Sequence, residues 1–292
     1  MIAATLWSID ALLRRNLYTI PVATLIMLEH LLGLIFLLPF LPGAWKEYKK
    51  LNSKDWLVLV LTSVISGVLG TFLYTKALFE VNYISYSVVV LLQKTQPIFA
   101  IALAAMLLKE KITSRYVFLA TLGIIAAYFL SFPNLVPKIE SRKEEILAAL
   151  MALGAAACWG SATALSKFVL NKIDFMAATI MRFAIVIPTS FLFAIAFNQT
   201  YPISSVTWTQ WQYFLGIVFS SGTFAYLLYY KGLQYTPAKI STFAELMYPV
   251  SAILIGYTFL NEKLTIIQMV SAILLLLVIF TLSFSKEEEK KE

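Results

Sequence analysis

The sequence predicts an all-α membrane protein of ten transmembrane helices, built as two inverted five-helix repeats. Three observations carry that expectation. Of the 292 residues, 60% are hydrophobic and 13% charged, with a mean hydropathy of +0.80, more apolar than a water-soluble core of this size needs. Landmarks recur at one offset of 152 positions: Thr5-Leu6-Trp7-Ser8 with Ala157-Cys158-Trp159-Gly160, Pro97 with Pro249, and Glu110-Lys111 with Glu262-Lys263. Each copy reads as five apolar spans, and an odd number makes the second copy enter the bilayer from the opposite face.

A helix needs about 20 apolar residues to cross about 30 Å of hydrocarbon. Such windows fall near residues 22–41, 56–79, 84–108, 114–132, 146–168, 175–197, 210–230, 240–260 and 264–284. The tenth span, residues 1–13, is too short to cross alone at about 1.5 Å per residue. An apolar run from Ile146 to Cys158 precedes Trp159, whereas six residues precede Trp7, so the first helix is expected to begin upstream of Met1. The organisation is then a first repeat over 1–132, a polar linker over 133–145, a second repeat over 146–284 and a charged cytoplasmic tail over 285–292.

With the N-terminus in the cytoplasm, the inside segments carry 14 Lys and Arg and the outside loops six, Arg14 among them. The net charge of +7 therefore follows the positive-inside rule and calls for no nucleic acid. Trp45, Trp56, Trp208 and Trp211 flank span ends and read as interfacial anchors. Ala152, Ala156, Gly160 and Ala164 form a small-residue stripe that allows close helix approach. Cys158, the single cysteine, lies within a span and has no partner for an internal disulfide.

Several motifs occur in one order: Trp7-Ser8 and Trp159-Gly160, Met181-Arg182-Phe183, Tyr74-Thr75-Lys76-Ala77-Leu78 and Tyr229-Tyr230-Lys231-Gly232-Leu233, and Pro97 and Pro249, each followed thirteen residues later by Glu-Lys. Together they resemble the EamA-type branch of the drug/metabolite transporter superfamily over nearly the whole chain; only the Tyr-x-Lys stretch slips, to an offset of 155. The resemblance implies ten helices in the cytoplasmic (inner) membrane, both termini cytoplasmic, and export or exchange of small metabolites through a central cavity lined mainly by the first, third and fourth helices of each copy. Two departures leave the substrate class open. Ser8 stands where Gly is usual, and Glu29-His30 stands where the first copy is expected to hold an Arg like Arg182.

Ionisable groups inside spans are candidate functional residues, because a charge near the bilayer centre costs about 2.5 to 3.5 kcal/mol on the gentler scale. Here they are Asp10, Glu29, His30, Lys76, Lys94, Arg182 and Glu245. Lys76 and Arg182 lie near enough to helix ends to snorkel or cap carbonyls. Gln93-Lys94-Thr95-Gln96 is a polar cluster immediately before Pro97. A proline removes the hydrogen bond to the carbonyl four residues back, which frees the carbonyls of Gln93 and Glu245. Equivalent freed carbonyls beside polar side chains suit a midplane site of interrupted helices, and helix kinking for packing is the plainer alternative.

The expected substrate-binding set is therefore Trp7, Asp10, Tyr74, Gln93, Lys94, Trp159, Tyr226, Glu245 and Tyr248, with Pro97 and Pro249 as kinks. Asp10 follows Trp7 by about one turn, so carboxylate and indole together suit an ammonium group. Glu29 and His30 are coupling candidates. They point about 100° apart, so at most one is expected to face a cavity. As a residue type histidine, with an unperturbed pKa of about 6.5, makes His30 a plausible proton carrier, although a neutral histidine hydrogen-bonded between helices is the preferred reading.

The sequence holds no Walker loop, no His-Glu-x-x-His, no cysteine cluster and one histidine, so no metal, cofactor or enzyme activity is expected. The alternatives are a membrane enzyme using Asp10 and Glu245 as a carboxylate pair, a channel, and a non-transporting structural or receptor subunit. The last is told apart by whether the buried charges face a wet cavity or only one another. The expectation is a secondary transporter, an exporter or exchanger, moving a small polar or amphipathic metabolite by alternating access. Lys94 opposite Glu245 and Asp10 suits a zwitterion such as an amino acid. Its partners are that small molecule and the lipid bilayer, with a proton or counter-substrate for coupling and no nucleic acid.

Overall fold

The computed structural model describes residues 1–79, 92, 95–131, 143–259 and 264–284, and every regular element among them is helical. Seven stretches are long and apolar enough to cross a membrane: Val22–Tyr48, Ser53–Ala77, Ile146–Leu170, Phe175–Ala196, Trp208–Tyr235, Ala238–Ile255 and Ile266–Ser283. Two further apolar helices, Gln96–Leu107 and Ser114–Leu130, are shorter. The protein is an integral membrane protein. Each of the nine expected windows is mostly helical where described, with breaks at 220–222 in the 210–230 window and at Leu246 in the 240–260 window; the 84–108 window is described at Leu92 and from Thr95 onward, and residues 2–14 form a helix of 13 residues. The linker residues before Lys143, the Glu262-Lys263 pair and the charged tail lie outside the described residues.

In chain order the helices are α1 (Ile2–Arg14), α2 (Val22–Leu37), α3 (Leu41–Tyr48), α4 (Ser53–Thr62), α5 (Thr71–Phe79), α6 (Gln96–Leu107), α7 (Ser114–Ser131), α8 (Lys143–Leu170), α9 (Phe175–Ala196), α10 (Trp208–Phe219), α11 (Thr223–Tyr235), α12 (Ala238–Glu245), α13 (Met247–Phe259) and α14 (Ile266–Phe284). Their starts follow ordinary capping chemistry. Asn52 and Asp55 form a capping box at α4, Thr207 and Gln210 another at α10, and the Asp174 carboxylate accepts from the Met176 amide at α9. Large apolar residues such as Phe118, Leu192, Ile273 and Leu277 point outward, where lipid replaces water as solvent.

Inside, small residues set the helix spacing. Ala152, Ala156 and Ala164 of the predicted stripe are fully buried. At Gly160 an added Cβ would sit 2.4 Å from the Gln96 carbonyl oxygen, so only glycine lets α8 meet the start of α6. The two landmark prolines open new helical segments instead of bending continuous ones. Pro97 is in the first turn of α6, after a turn at Thr95, and Pro249 follows a break at Leu246 between α12 and α13. Pro188, by contrast, lies within α9 without ending it. A third interruption is the π-helical segment Ser63–Gly70 between α4 and α5.

Contacts between helices recur with the two halves exchanged. Equivalent helices pack on each other, α2 on α9 and α7 on α14. Meanwhile α1 packs on α13 and α11, and its counterpart α8 packs on α6 and α5.

One end of the bundle is tied shut by bonds between segments distant in sequence. Both Glu110 carboxylate oxygens accept from the first amides of α12, Ala238 N–H at 2.7 Å and Lys239 N–H at 3.0 Å, where helix polarity favours an anion. Tyr116 donates to the Lys239 carbonyl at 2.8 Å, and Lys239 Nζ donates to the Lys111 carbonyl at 2.6 Å. Lys167 bonds the last carbonyls of α11, Leu233 and Gln234, at 3.0 and 2.7 Å. Lys172 pairs with buried Asp55 at 2.5 Å, and Glu47 accepts from the Asp174 amide at 3.1 Å.

Candidate functional site

Toward the other end the helices part around a cavity of about 600 Å³, whose walls come from α1, α2, the π segment, α5, α6 and α8 to α13. Its wall runs out to Tyr18, which is 72% exposed. The volume lies within the range of small-molecule sites, about 300 to 1,000 Å³.

Two tryptophan–tyrosine pairs face this space. Trp7 on α1 lies against Tyr229 on α11 with ring centroids 5.2 Å apart, and Trp159 on α8 lies against Tyr74 on α5 at 5.1 Å. Tyr226 adds an edge contact to Trp7 at 5.9 Å. The Trp159 indole N–H donates to the Ser66 carbonyl of the π segment at 3.1 Å, and Thr71 Oγ1 donates to the same oxygen at 3.2 Å. Gly70 makes that approach feasible, since a Cβ there would lie 2.9 Å from the indole nitrogen.

Polar chemistry is gathered at three places on the wall. Deepest is Arg182, 1% exposed, which donates to Ser66 Oγ at 2.5 Å, Tyr226 OH at 3.0 Å and Tyr230 OH at 3.3 Å, and lies 4.7 Å from the Tyr226 ring centroid. No carboxylate among the described residues pairs with it. Across the cavity, Glu245 accepts from Gln96 Nε2 at 2.6 Å, Tyr229 OH at 2.9 Å and Thr163 Oγ1 at 3.4 Å. Nearer the exposed side, Arg14 bridges Asp10 at 2.6 Å and Glu29 at 3.0 Å, and Ser221 donates to Asp10 at 2.6 Å.

Of the residues singled out from the sequence, Trp7, Asp10, Glu29, His30, Tyr74, Pro97, Trp159, Tyr226, Glu245 and Tyr248 border this one cavity. Gln93 and Lys94 lie outside the described residues, and Pro249 is buried beside the helix break. Three expectations are corrected. Arg182 neither snorkels nor caps carbonyls; three hydroxyl-bearing neighbours, Ser66, Tyr226 and Tyr230, hold it in the protein interior. Glu29 and His30 both border the cavity. Glu29 reaches Arg14 on one side, while His30 leans on Phe183 at 4.7 Å on the other, so their 100° separation spans one broad space. Arg14, placed with the outside loops, lines the cavity and supplies the cation that Asp10 faces.

His30 Nδ1 lies 2.8 Å from the Ile26 carbonyl. A carbonyl only accepts, so that nitrogen carries the hydrogen; the bond lies within α2, not between helices as expected, and the contact His30 makes to α9 is the ring of Phe183. Sequence reasoning passed over Tyr229, Gln96, Thr163 and Ser66. For Tyr229 a signal was present, since the slipped offset of 155 maps Tyr74 onto it.

The sequence pattern of the EamA-like transporter family matches residues 1–132 and 146–284. A riboflavin transporter of Fusobacterium nucleatum, ImpX, is 35% identical over 284 residues, covering 97% of this chain and 95% of its own. An uncharacterized transporter of Synechocystis is 27% identical over 255 residues, covering 84% and 70%. Another, YoaV of Bacillus subtilis, is 23% identical over 260 residues, covering 88% and 84%. A solved crystal structure superposes with a TM-score of 0.77 at 16% identity, over all of this chain and 96% of that one, a likeness of fold alone.

Proposed function

The chain belongs to the EamA-like transporter family, and from that premise we propose that it is a secondary transporter that carries a flat heteroaromatic metabolite with a polar, uncharged tail, riboflavin being the representative. The single observation that carries this reading is that two aromatic pairs, Trp7 with Tyr229 and Trp159 with Tyr74, line one cavity of about 600 Å³. Stacking between such rings favours a planar, polarisable guest. The 35% identity to a riboflavin transporter supports the same substrate class.

In this reading Trp7, Tyr74, Trp159, Tyr226 and Tyr248 hold the ring, while Glu245, Gln96 and Thr163 meet the hydroxyls of the tail. Asp10 and Glu29 serve the Arg14 bridge. The expectation of an amino acid rested on Lys94, Asp10 and Glu245, and Asp10 already has its cation in Arg14. A zwitterion is the second reading, favoured by one observation: Arg182 and Glu245 border the same cavity without pairing with each other.

Alternating access follows from the architecture we propose: residues 1–132 and 146–284 as inverted five-helix repeats joined by 133–145, and 285–292 as a tail. The exchanged helix contacts and the matched aromatic pairs support it. Lys54, Lys109, Lys111 and Lys172 cluster at the tied end. Under the positive-inside rule that end is cytoplasmic, the cavity faces outward, and both termini lie on the cytoplasmic side of the inner membrane. Turning the halves breaks the ties of Glu110 and Lys172, which join one half to the other, and opens the cavity inward, which gives exchange or export without nucleotide.

Counterflow in proteoliposomes tests the substrate. Vesicles preloaded with unlabelled riboflavin should take up labelled riboflavin, while a panel of amino acids should not drive it. Amino-acid counterflow without riboflavin counterflow would install the second reading; the absence of both would remove the two together.

A further inference from the structure

We propose that Glu245 is the proton-carrying group of this transporter, binding one proton per cycle and so coupling substrate movement to the proton gradient. The proposal rests on the transporter reading and goes beyond it. Each other acid near the cavity or its tied end has a cation or backbone amides in direct contact. Arg14 is one cation shared by Asp10 and Glu29, Lys172 pairs with Asp55, and backbone amides bond Glu110. His30, the coupling candidate by residue type, bonds a backbone carbonyl and packs on Phe183. Glu245 differs: it borders the cavity, and the partners that bond it are an amide and two hydroxyls, all neutral.

The groups that face it from neighbouring elements bear this out. Helix α11 presents Tyr229 in contact and Tyr226 nearby, α13 presents Tyr248 on the cavity wall, α8 presents Thr163 and α6 presents Gln96. From α1 comes the field of the amino group of Met1, with Asp10 and Arg14 already paired further along. From α9 comes Arg182, held by its own three acceptors, and α14, packed on α12, carries no titratable side chain. No Lys, Arg or His among the described residues pairs with Glu245.

Its bonds explain how a proton would matter. Gln96 belongs to the first half of the chain, and Glu245, Thr163 and Tyr229 to the second. The ionised carboxylate thus accepts across the junction that alternating access must open. On protonation, one carboxylate oxygen takes a proton from a hydronium ion in the cavity, which leaves as water, and that oxygen turns from acceptor to donor. At Oε1 the hydroxyls of Tyr229 and Thr163 answer by rotating; at Oε2 the Gln96 N–H cannot accept, so the bond between the halves is kept only if the amide turns over. The O–H bond breaks again when the site faces the other aqueous phase and the proton passes to water there. No other covalent bond changes.

Proteoliposomes holding wild type or Glu245→Gln, with the membrane potential clamped, separate the steps. Wild type should use an imposed difference of one pH unit to build a riboflavin gradient of about tenfold, its direction telling whether proton and substrate travel together or oppositely. Glu245→Gln should raise the KM of riboflavin counterflow at equal pH, because a contact to the tail is lost, and at saturating riboflavin should exchange it while building no gradient. A gradient in Glu245→Gln equal to wild type, or none in wild type despite counterflow, overturns the proposal. Infrared titration of the wild type minus Glu245→Gln needs no substrate: it should show the carbonyl stretch of a protonated carboxylic acid appearing as pH falls, and its absence at every pH overturns the proposal. Failure of riboflavin to exchange at all removes the substrate reading, and the infrared difference then decides for Glu245. Should Glu245→Gln not insert, Glu245→Asp should shift the pH profile of transport, and an unshifted profile overturns the proposal.

Discussion

Trp159 faces Tyr74 with ring centroids 5.1 Å apart and planes inclined by 54°, and Trp7 faces Tyr229 in nearly the same way, at 5.2 Å and 58°. Four residues far apart in sequence thus give two matched walls on one cavity. If they bracket the substrate ring, Trp159→Ala and Trp7→Ala should each raise the KM for counterflow by about tenfold, from about 1.5 kcal/mol of lost aromatic contact. Trp159→Phe should recover most of it. An unchanged KM in correctly folded alanine variants would place the ring elsewhere.

Arg182 spreads its donors over Ser66, Tyr226 and Tyr230. A lysine keeps the charge without the planar fork that reaches three acceptors. Arg182→Lys should therefore lose transport while the protein still folds. Arg182→Met, which leaves buried hydroxyls unmatched, should in addition lose about 1 to 3 kcal/mol of stability, read from unfolding in detergent.

Glu110 ties the start of α12 to the loop after α6 through two backbone amides. Removing it in Glu110→Ala should loosen the tied end and shift the resting population toward the inward-open form. In a Cys158→Ser background, a cysteine at Thr163 should then react faster with a water-soluble thiol reagent from the cytoplasmic side. An unaltered rate would mean that this tie does not hold the gate.

The proposed inversion makes a topological prediction. Reporter tags in the loop at Lys46 to Lys54 and in the linker at Pro137 to Glu144 should appear on opposite faces of the membrane. Both on one face would remove the inverted repeat, since two copies of equal orientation need an even number of spans each.

Much of the fold was legible because crossing a bilayer is a one-dimensional constraint. An apolar window of the right length fixes a span whatever surrounds it, and each of the nine windows is mostly helical where described. The aromatics at Trp7, Tyr74, Trp159 and Tyr226 were legible as deep residues, and they do meet at one cavity. Direction around each helix was not. Depth alone left Arg182 free to reach a helix end, whereas its partners come from α11 and from the π segment, which no periodicity announces. Asp10 showed its nearness to Trp7, but the cation it faces arrives from Arg14 one turn further on, together with Ser221 from the second half. Gln96 looked like a neighbour of Lys94 and proves to be the cross-half partner of Glu245.

The central claim is that the cavity between the two halves, walled by Trp7 and Trp159, takes up the substrate ring. Riboflavin fluorescence titrated with the purified protein in lipid nanodiscs tests it most directly, because stacking on indole and phenol rings quenches flavin emission. The account predicts saturable quenching by wild type that is lost in the folded Trp7→Ala, Trp159→Ala double variant. Equal saturable quenching by that variant would contradict it.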